Sequence, residues 1–132
     1  MKLIVCLDQK DGISFNRRRQ SSDRKLSERL LERVGEGRLW MNAYSAKLFD
    51  ILPENVTVDE AFLEKAGAED WCFAENVSLL PAAGKIDELT VYRWEKVYPA
   101  DKRYPFPKGE RVEEFAFAGN SHECITEEVY KP

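Results

Sequence analysis

Six apolar residues open the chain almost without interruption. "KLIVCL" (Lys2 to Leu7) is rich in β-branched side chains and ends at the polar "DQKDG". A continuous apolar run of this length reads as a strand buried on both faces, as in the middle of a mostly parallel sheet. Asp8 to Gln20 then reads as a long polar loop. From about Ser22 to Val34 the pattern changes to helical spacing. Leu26, Leu30, Leu31 and Val34 form one apolar stripe, and Gly35 is a natural stop. "RLWM" predicts a second short strand, and "AYSAKLFDIL" a helix ended by Pro53. "TVDEAFLEKAG" has a Thr57–Glu60 capping-box spacing and ends at Gly67, which predicts a third helix. "DWCFA" reads as a third buried strand, and "ENVSLLP" as one helical turn stopped by Pro81. "DELTVYRWEKV" alternates as a longer strand. "RVEEFAFAGNSHECITEEVY" reads as an antiparallel hairpin turning near Gly119-Asn120-Ser121.

Three strand–helix units followed by strands predict a three-layer α/β domain. Its central sheet would be mostly parallel, with an antiparallel C-terminal hairpin at the edge. The 132 residues suit a single domain spanning 1–132. In such sheets ligands bind beyond the carboxyl ends of the strands, here Leu7–Asp8, Met41–Asn42 and Phe73–Ala74.

Composition narrows the function classes. The chain is 43% hydrophobic and 33% charged, with a net charge of −4. General attraction to nucleic acid or an anionic membrane is not expected at that charge. Cys6, Cys72 and Cys124 form no CxxC pair, and their number is odd. They read as buried thiols of a cytoplasmic protein. His122 is the single histidine, so neither a structural zinc, nor a metal-dependent hydrolase, nor a paired cysteine nucleophile is expected. In an alternating strand His122 reads as an edge or hydrogen-bonded residue.

Two features could carry chemistry. Helix residues rotate by about 100° each, so Asp23 lies in line with Leu26, Leu30 and Val34 and points inward. One reading makes it a first-turn acid complementing the helix dipole, with Ser21 or Ser22 as N-cap. The other makes it a partly buried carboxylate at the mouth of a pocket. Ahead of it stand Arg17, Arg18 and Arg19. They form either an anion clamp, since guanidinium groups match phosphate or carboxylate in pairs of bonds, or a solvated loop beside surface acids. "VYPADKRYPFP" interleaves aromatics and bases, but a proline-punctuated loop packing its rings on the domain explains it better than nucleic-acid stacking.

The order and spacing of six segments resemble the dihydrofolate reductase family. "LIVCLDQKDGI" looks like its first strand and lid loop, and "SSDRKL" like its helix with one active-site acid. "LWMNAYSAKLF" is similar to the strand, turn and helix carrying a Met-Gly-Arg-x-Thr pattern. "TVDEAFLEKAGAEDWCFAENVSLLP" resembles the short helix, central strand and Gly-Gly turn. "ELTVYRWEKVYPADKRYPFP" and "SHECITEEVY" look like the late strand with its aromatic-proline segment and the closing strand. The resemblance implies that Asp23 is the acid that binds and protonates a pterin ring. It puts Asp101 before the late aromatic-proline pair, and Ser45 at the hydroxyl that caps a helix and touches cofactor phosphate.

The departures from that pattern gather at one place. The Gly-Gly turn reads Ala74-Glu75-Asn76, and a carboxylate about 4 Å from a phosphate charge is repelled by about 4 kcal/mol at an effective dielectric of about 20. The Met-Gly-Arg turn reads Met41-Asn42-Ala43. The connection from Phe49 to Val58 is too short for the strand and loop that hold the adenosine end. The expectation is a retained fold with no NADPH or other cofactor. The remnant pocket would bind a small ligand, anionic if the arginines contact it, with Arg17, Arg18, Arg19, Gln20, Asn42, Tyr44, Ser45, Glu75, Asn76 and Asp101 around Asp23. The alternatives are a divergent reductase of a pterin- or pyrimidine-like substrate with Asp23 as proton donor, and an RNA-associated protein using Arg17 to Arg19 with Lys102–Arg103. A homodimer could form through the sheet edge at the shortened segment.

Overall fold

The computed structural model describes residues 1–132. Its strands are β1 (Lys2–Leu7), β2 (Gly12–Phe15), β3 (Arg18–Arg19), β4 (Leu39–Met41), β5 (Val56–Val58), β6 (Trp71–Phe73), β7 (Glu88–Trp94), β8 (Lys102–Arg103), β9 (Glu110–Phe117) and β10 (Ile125–Lys131). The helices are α1 (Arg24–Val34), α2 (Ala43–Ala46) and α3 (Phe62–Lys65), with a 3-10 turn at Leu80–Ala82.

Seven strands form one sheet in the order β5-β4-β6-β1-β7-β10-β9. β5, β4, β6, β1 and β7 run parallel; β10 is antiparallel to both β7 and β9. β1 sits in the middle with neighbours on both sides, which is what its unbroken apolar run predicts. Its alternate residues serve two cores. Leu3, Val5 and Leu7 pack with Phe62, Leu63, Leu79 and Ala82 on one face. Ile4 packs with Leu26, Leu30 and Val34 of α1 on the other. Leu26, Leu30 and Val34 are all at or below 5% exposure, and burying each contributes roughly 1.5–3 kcal/mol. Gly35 ends α1 at φ 59, with its N–H bonded to Leu31 O, a left-handed position that glycine occupies without strain.

Several boundaries differ from the expectation. The segment Asp8 to Gln20 is not an open loop: β2 and β3 form a tight hairpin around Asn16 and Arg17, both with positive φ (51° and 61°). Together with β8 they make a second, three-stranded sheet. The Thr57–Glu60 capping box does not exist. Val56–Val58 is instead strand β5, paired with β4, because exposing the edge of β4 would cost more backbone pairing than a local cap returns. A short strand therefore does survive between Phe49 and Val58. The helix expected over 43–52 keeps regular form only to Ala46, then continues as turns through Leu48 and Phe49. Pro81 lies inside the 3-10 turn rather than ending a helix before it. No helix is long and apolar enough to cross a membrane.

Candidate functional site

Asp23 is the N-cap of α1, so the cap is neither Ser21 nor Ser22 and the helix starts at Arg24. Its carboxylate has no exposed surface. Oδ1 accepts from the N–H groups of Lys25 (2.9 Å), Leu26 (3.4 Å) and Asn120 (3.0 Å). Oδ2 accepts from Ser121 N–H (2.8 Å), Ser121 Oγ (3.1 Å) and His122 Nδ1 (3.0 Å). Burial alone would raise its pKa. The N–H groups of Asn120 and Ser121, then His122 and Leu26, outweigh burial and hold the carboxyl well below the usual range. The donors from 120 to 122 belong to the β9–β10 connection. Gly119 lets that connection approach: a Cβ there would lie 2.5 Å from Asp23 Oδ2 and 2.9 Å from His122 O.

Six of the other expected residues, Arg19, Asn42, Tyr44, Ser45, Glu75 and Asn76, form a second, separate constellation at the carboxyl ends of β4 and β6. Arg19 meets Glu75 with two parallel bonds, Nε to Oε2 at 2.7 Å and Nη2 to Oε1 at 2.9 Å. Ser45 Oγ donates to Glu75 Oε1 at 2.7 Å. Tyr44 accepts from Arg19 N–H at 2.9 Å and lies 4.4 Å below the guanidinium. Asn42 caps α2 by accepting from Ser45 N–H and donates to Asn76, which donates to Arg17 O. The first parallel pair is the charge-assisted, bidentate kind that is strongest among side-chain contacts. Burial would lower the Arg19 pKa, but Glu75 more than compensates and raises it. Asn42, Ser45 and Glu75 are all buried. The β2–β3 hairpin is thereby fastened to the sheet by the protein's own anion.

Other expected residues lie at the margins. Arg17 and Arg18 are exposed. Gln20 donates to Asp8 Oδ2 at 2.9 Å. Asp101 is exposed and accepts from Asn16 N–H at 3.0 Å, steadying the hairpin turn. Asp8 itself was missed. It is fully buried and accepts from the N–H groups of Lys10, Gly12 and Tyr98 as well as Gln20. Its signal in the sequence was an acid placed directly at the end of the central strand. Nothing local in the sequence marks His122 as part of this site, because its partners lie 99 and 101 positions away. Burial pushes the Cys72 thiol up to about 12, which suits a core residue rather than a nucleophile. No group of three or more His, Cys, Asp or Glu side chains is arranged to hold a metal.

A cleft of about 640 Å³ opens between the start of α1 and residues 48–51. Asp23, Ser27, Glu28 and Asp50 supply polar lining, with Leu31, Phe49 and Ile51 supplying apolar surface. Asp23 is the only expected site residue that lines it. A smaller cleft of about 330 Å³ lies across the hairpin, against Phe15, Arg18, Arg19, Gln20, Tyr98 and Pro99. Neither cleft is lined by Asn42, Tyr44, Ser45, Glu75 or Asn76.

No protein-family model and no curated protein matches the sequence. In structure, the chain is similar to a dihydrofolate reductase from Enterococcus faecalis solved with NADP(H) and RAB-propyl. The TM-score is 0.65 at 12% identity, covering 98% of this chain and 94% of that one. The chain has a dihydrofolate reductase-like fold.

Proposed function

We propose that this chain is a dihydrofolate reductase-like protein that binds a small molecule in the cleft beside Asp23 and performs no NADPH-dependent reduction. The observation that carries the reading is the closed Arg19–Glu75–Ser45 constellation. It lies in the turn where the family resemblance places the dinucleotide pyrophosphate. The residues there do not fit such a group. A phosphate would face the Glu75 carboxylate, and the one guanidinium able to offset that charge is already bound to it. The anion that the arginines suggested is supplied, for Arg19, from within the chain.

The alternative of a divergent reductase needs Asp23 to give up a proton. A carboxyl held well below its usual range is ionised at neutral pH and has none to give. Its acceptor positions are also occupied by Asn120, Ser121 and His122, so a pterin-like ring would have to displace the β9–β10 connection.

The cleft favours a different ligand from the anion first expected. Arg24 is its one cationic side chain, against Glu28 and Asp50, the Asp23 carboxylate being enclosed by its own donors. Neutral or cationic molecules that donate hydrogen bonds, with one apolar face for Leu31, Phe49 and Ile51, suit it best. The free thiols Cys6, Cys72 and Cys124 support a cytoplasmic setting. A homodimer would use the β5 edge, where Val58 is 43% exposed; sedimentation as a monomer at high concentration would remove that part.

The experiment is a paired titration. NADPH should leave the fluorescence of Trp40, Trp71 and Trp94 unchanged, while thermal-shift screening should select neutral or cationic compounds over anionic ones. Saturable NADPH quenching together with turnover of dihydrofolate would overturn the reading.

A further inference from the structure

We propose that Ser21, His122 and Asp23 form a nucleophile–base–acid relay able to transfer acyl groups from activated esters. Ser21 Oγ lies 2.9 Å from His122 Nε2, and His122 Nδ1 lies 3.0 Å from Asp23 Oδ2. The order hydroxyl, imidazole, buried carboxylate is the one that activates a serine on several unrelated folds, and it is recognised by geometry rather than by chain position. This inference goes beyond the ligand-binding reading and does not depend on it.

The protonation pattern follows from the partners. An ionised carboxylate only accepts hydrogen bonds, so Asp23 requires a proton on His122 Nδ1. In the neutral ring Nε2 is then a lone pair, and it accepts from the Ser21 hydroxyl. That is the tautomer a general base needs. Ser121 Oγ, 3.2 Å from Nδ1 and 3.1 Å from Asp23 Oδ2, donates to the same carboxylate and leaves this assignment intact. Trp94 holds the ring from the side, with centroids 4.6 Å apart. Asp23 acts through His122 and is a positioning residue; its backbone donors keep it charged against the opposing effect of burial, and hold it still.

Partial exposure and free backbone donors accompany the relay. Ser21 is half-buried, and His122 keeps 11% of its side chain exposed. The next residue, Ser22, lines the larger cleft and the preceding one, Gln20, the smaller. Ser21 thus sits between residues that line the two clefts, although it lines neither itself. The N–H groups of Ser22 and Asp23 donate to no other group of the protein. The N–H following a nucleophile is a recurrent donor to the oxyanion of acyl transfer.

The reaction balances without a cofactor. Ser21 Oγ attacks the ester carbonyl carbon as its proton moves to His122 Nε2. The carbonyl carbon–alkoxy bond then breaks, and the leaving alcohol takes the proton from Nε2. Water enters, gives a proton to Nε2, and attacks the acyl carbon. The acyl–Oγ bond breaks and Oγ recovers the proton. Ester and water become acid and alcohol.

The test uses the full chain with two probes, a fluorophosphonate and p-nitrophenyl acetate. The fluorophosphonate should phosphonylate Ser21, located by peptide mass mapping, with loss of fluoride. Ser21→Ala and His122→Ala should each slow labelling and p-nitrophenol release by roughly 100-fold or more. Ser78→Ala, remote and exposed, should match the parent. Histidine 15N spectra of the folded parent should show a proton on Nδ1 and a free Nε2, the tautomer the relay requires; labelling and p-nitrophenol release that vanish in Ser21→Ala are what a purely structural tie would not produce. Labelling that maps elsewhere, hydrolysis equal in parent and Ser21→Ala, or a ring protonated on Nε2 alone would overturn the proposal.

Discussion

Removing the Glu75 carboxylate should expose what it replaces. In Glu75→Ala the Arg19 guanidinium loses two parallel charge-assisted bonds and Ser45 loses its acceptor. Deleting one partner of a buried ion pair costs about 3–5 kcal/mol, because the other charge stays behind uncompensated. Glu75 is 4% exposed, but Arg19 retains 23% of its side-chain surface, so water recovers part of the loss. The expected cost is therefore at the lower end, about 3 kcal/mol. For a chain of this length that is a fall in Tm of about 10 °C. The void left beside Arg19 should admit a small anion. If acetate binds there with a Kd of about 10 mM, then about 100 mM acetate returns about 1.4 kcal/mol, a rise of about 5 °C. Differential scanning calorimetry of parent and variant, each with acetate and with an equal concentration of chloride, reads both effects. A loss below about 1 kcal/mol, or an acetate rise as large in the parent as in the variant, would refute the assignment of Glu75 as the internal anion for Arg19.

Asp23 should make stability depend on acid. Its carboxyl is depressed in the folded protein, so its contribution is complete above the ordinary carboxylate pKa of about 3.9 and fades as pH falls below it. Asp23→Asn keeps the shape but sets an amide against donors. It should cost about 2–3 kcal/mol at neutral pH and flatten the acid limb of a pH–Tm profile; an unchanged limb would assign acid sensitivity elsewhere. Arg17→Gly should raise stability by about 0.5–1 kcal/mol in urea unfolding, because Arg17 sits at φ 61 in a two-residue turn that favours Asn-Gly. Loss of stability in that variant would show that the Arg17 side chain holds something the turn geometry does not reveal. Leu30→Ala, at a fully buried position of α1, should cost about 2–5 kcal/mol in the same assay.

What the sequence by itself determined was local and periodic. The unbroken apolar run of β1 required burial on both faces, and the sheet supplied it. The spacing of Leu26, Leu30 and Val34 set the buried face of α1. Asp23 stands just before the helix in extended conformation, so its inward direction comes from its capping bonds and the 120–122 donors and not from helical phase. The order of segments implied a mostly parallel sheet with a C-terminal hairpin, and a solved structure only 12% identical has a similar fold. These features follow from backbone geometry and burial, which act over a few residues.

The partners were decided only by the tertiary structure. Asp23 meets Asn120, Ser121 and His122 across 97 to 99 positions, and Arg19 meets Glu75 across 56. Nothing periodic marks such pairs, because they are chosen by which loops the sheet order brings together. Local preference was also overruled where a sheet edge competed. Thr57 and Glu60 have the spacing of a helix start, yet β4 drew Val56–Val58 into a strand because pairing its backbone outweighed one side-chain cap. The same long-range closure that pairs Arg19 with Glu75 also sets Ser21, His122 and Asp23 in line at the head of α1.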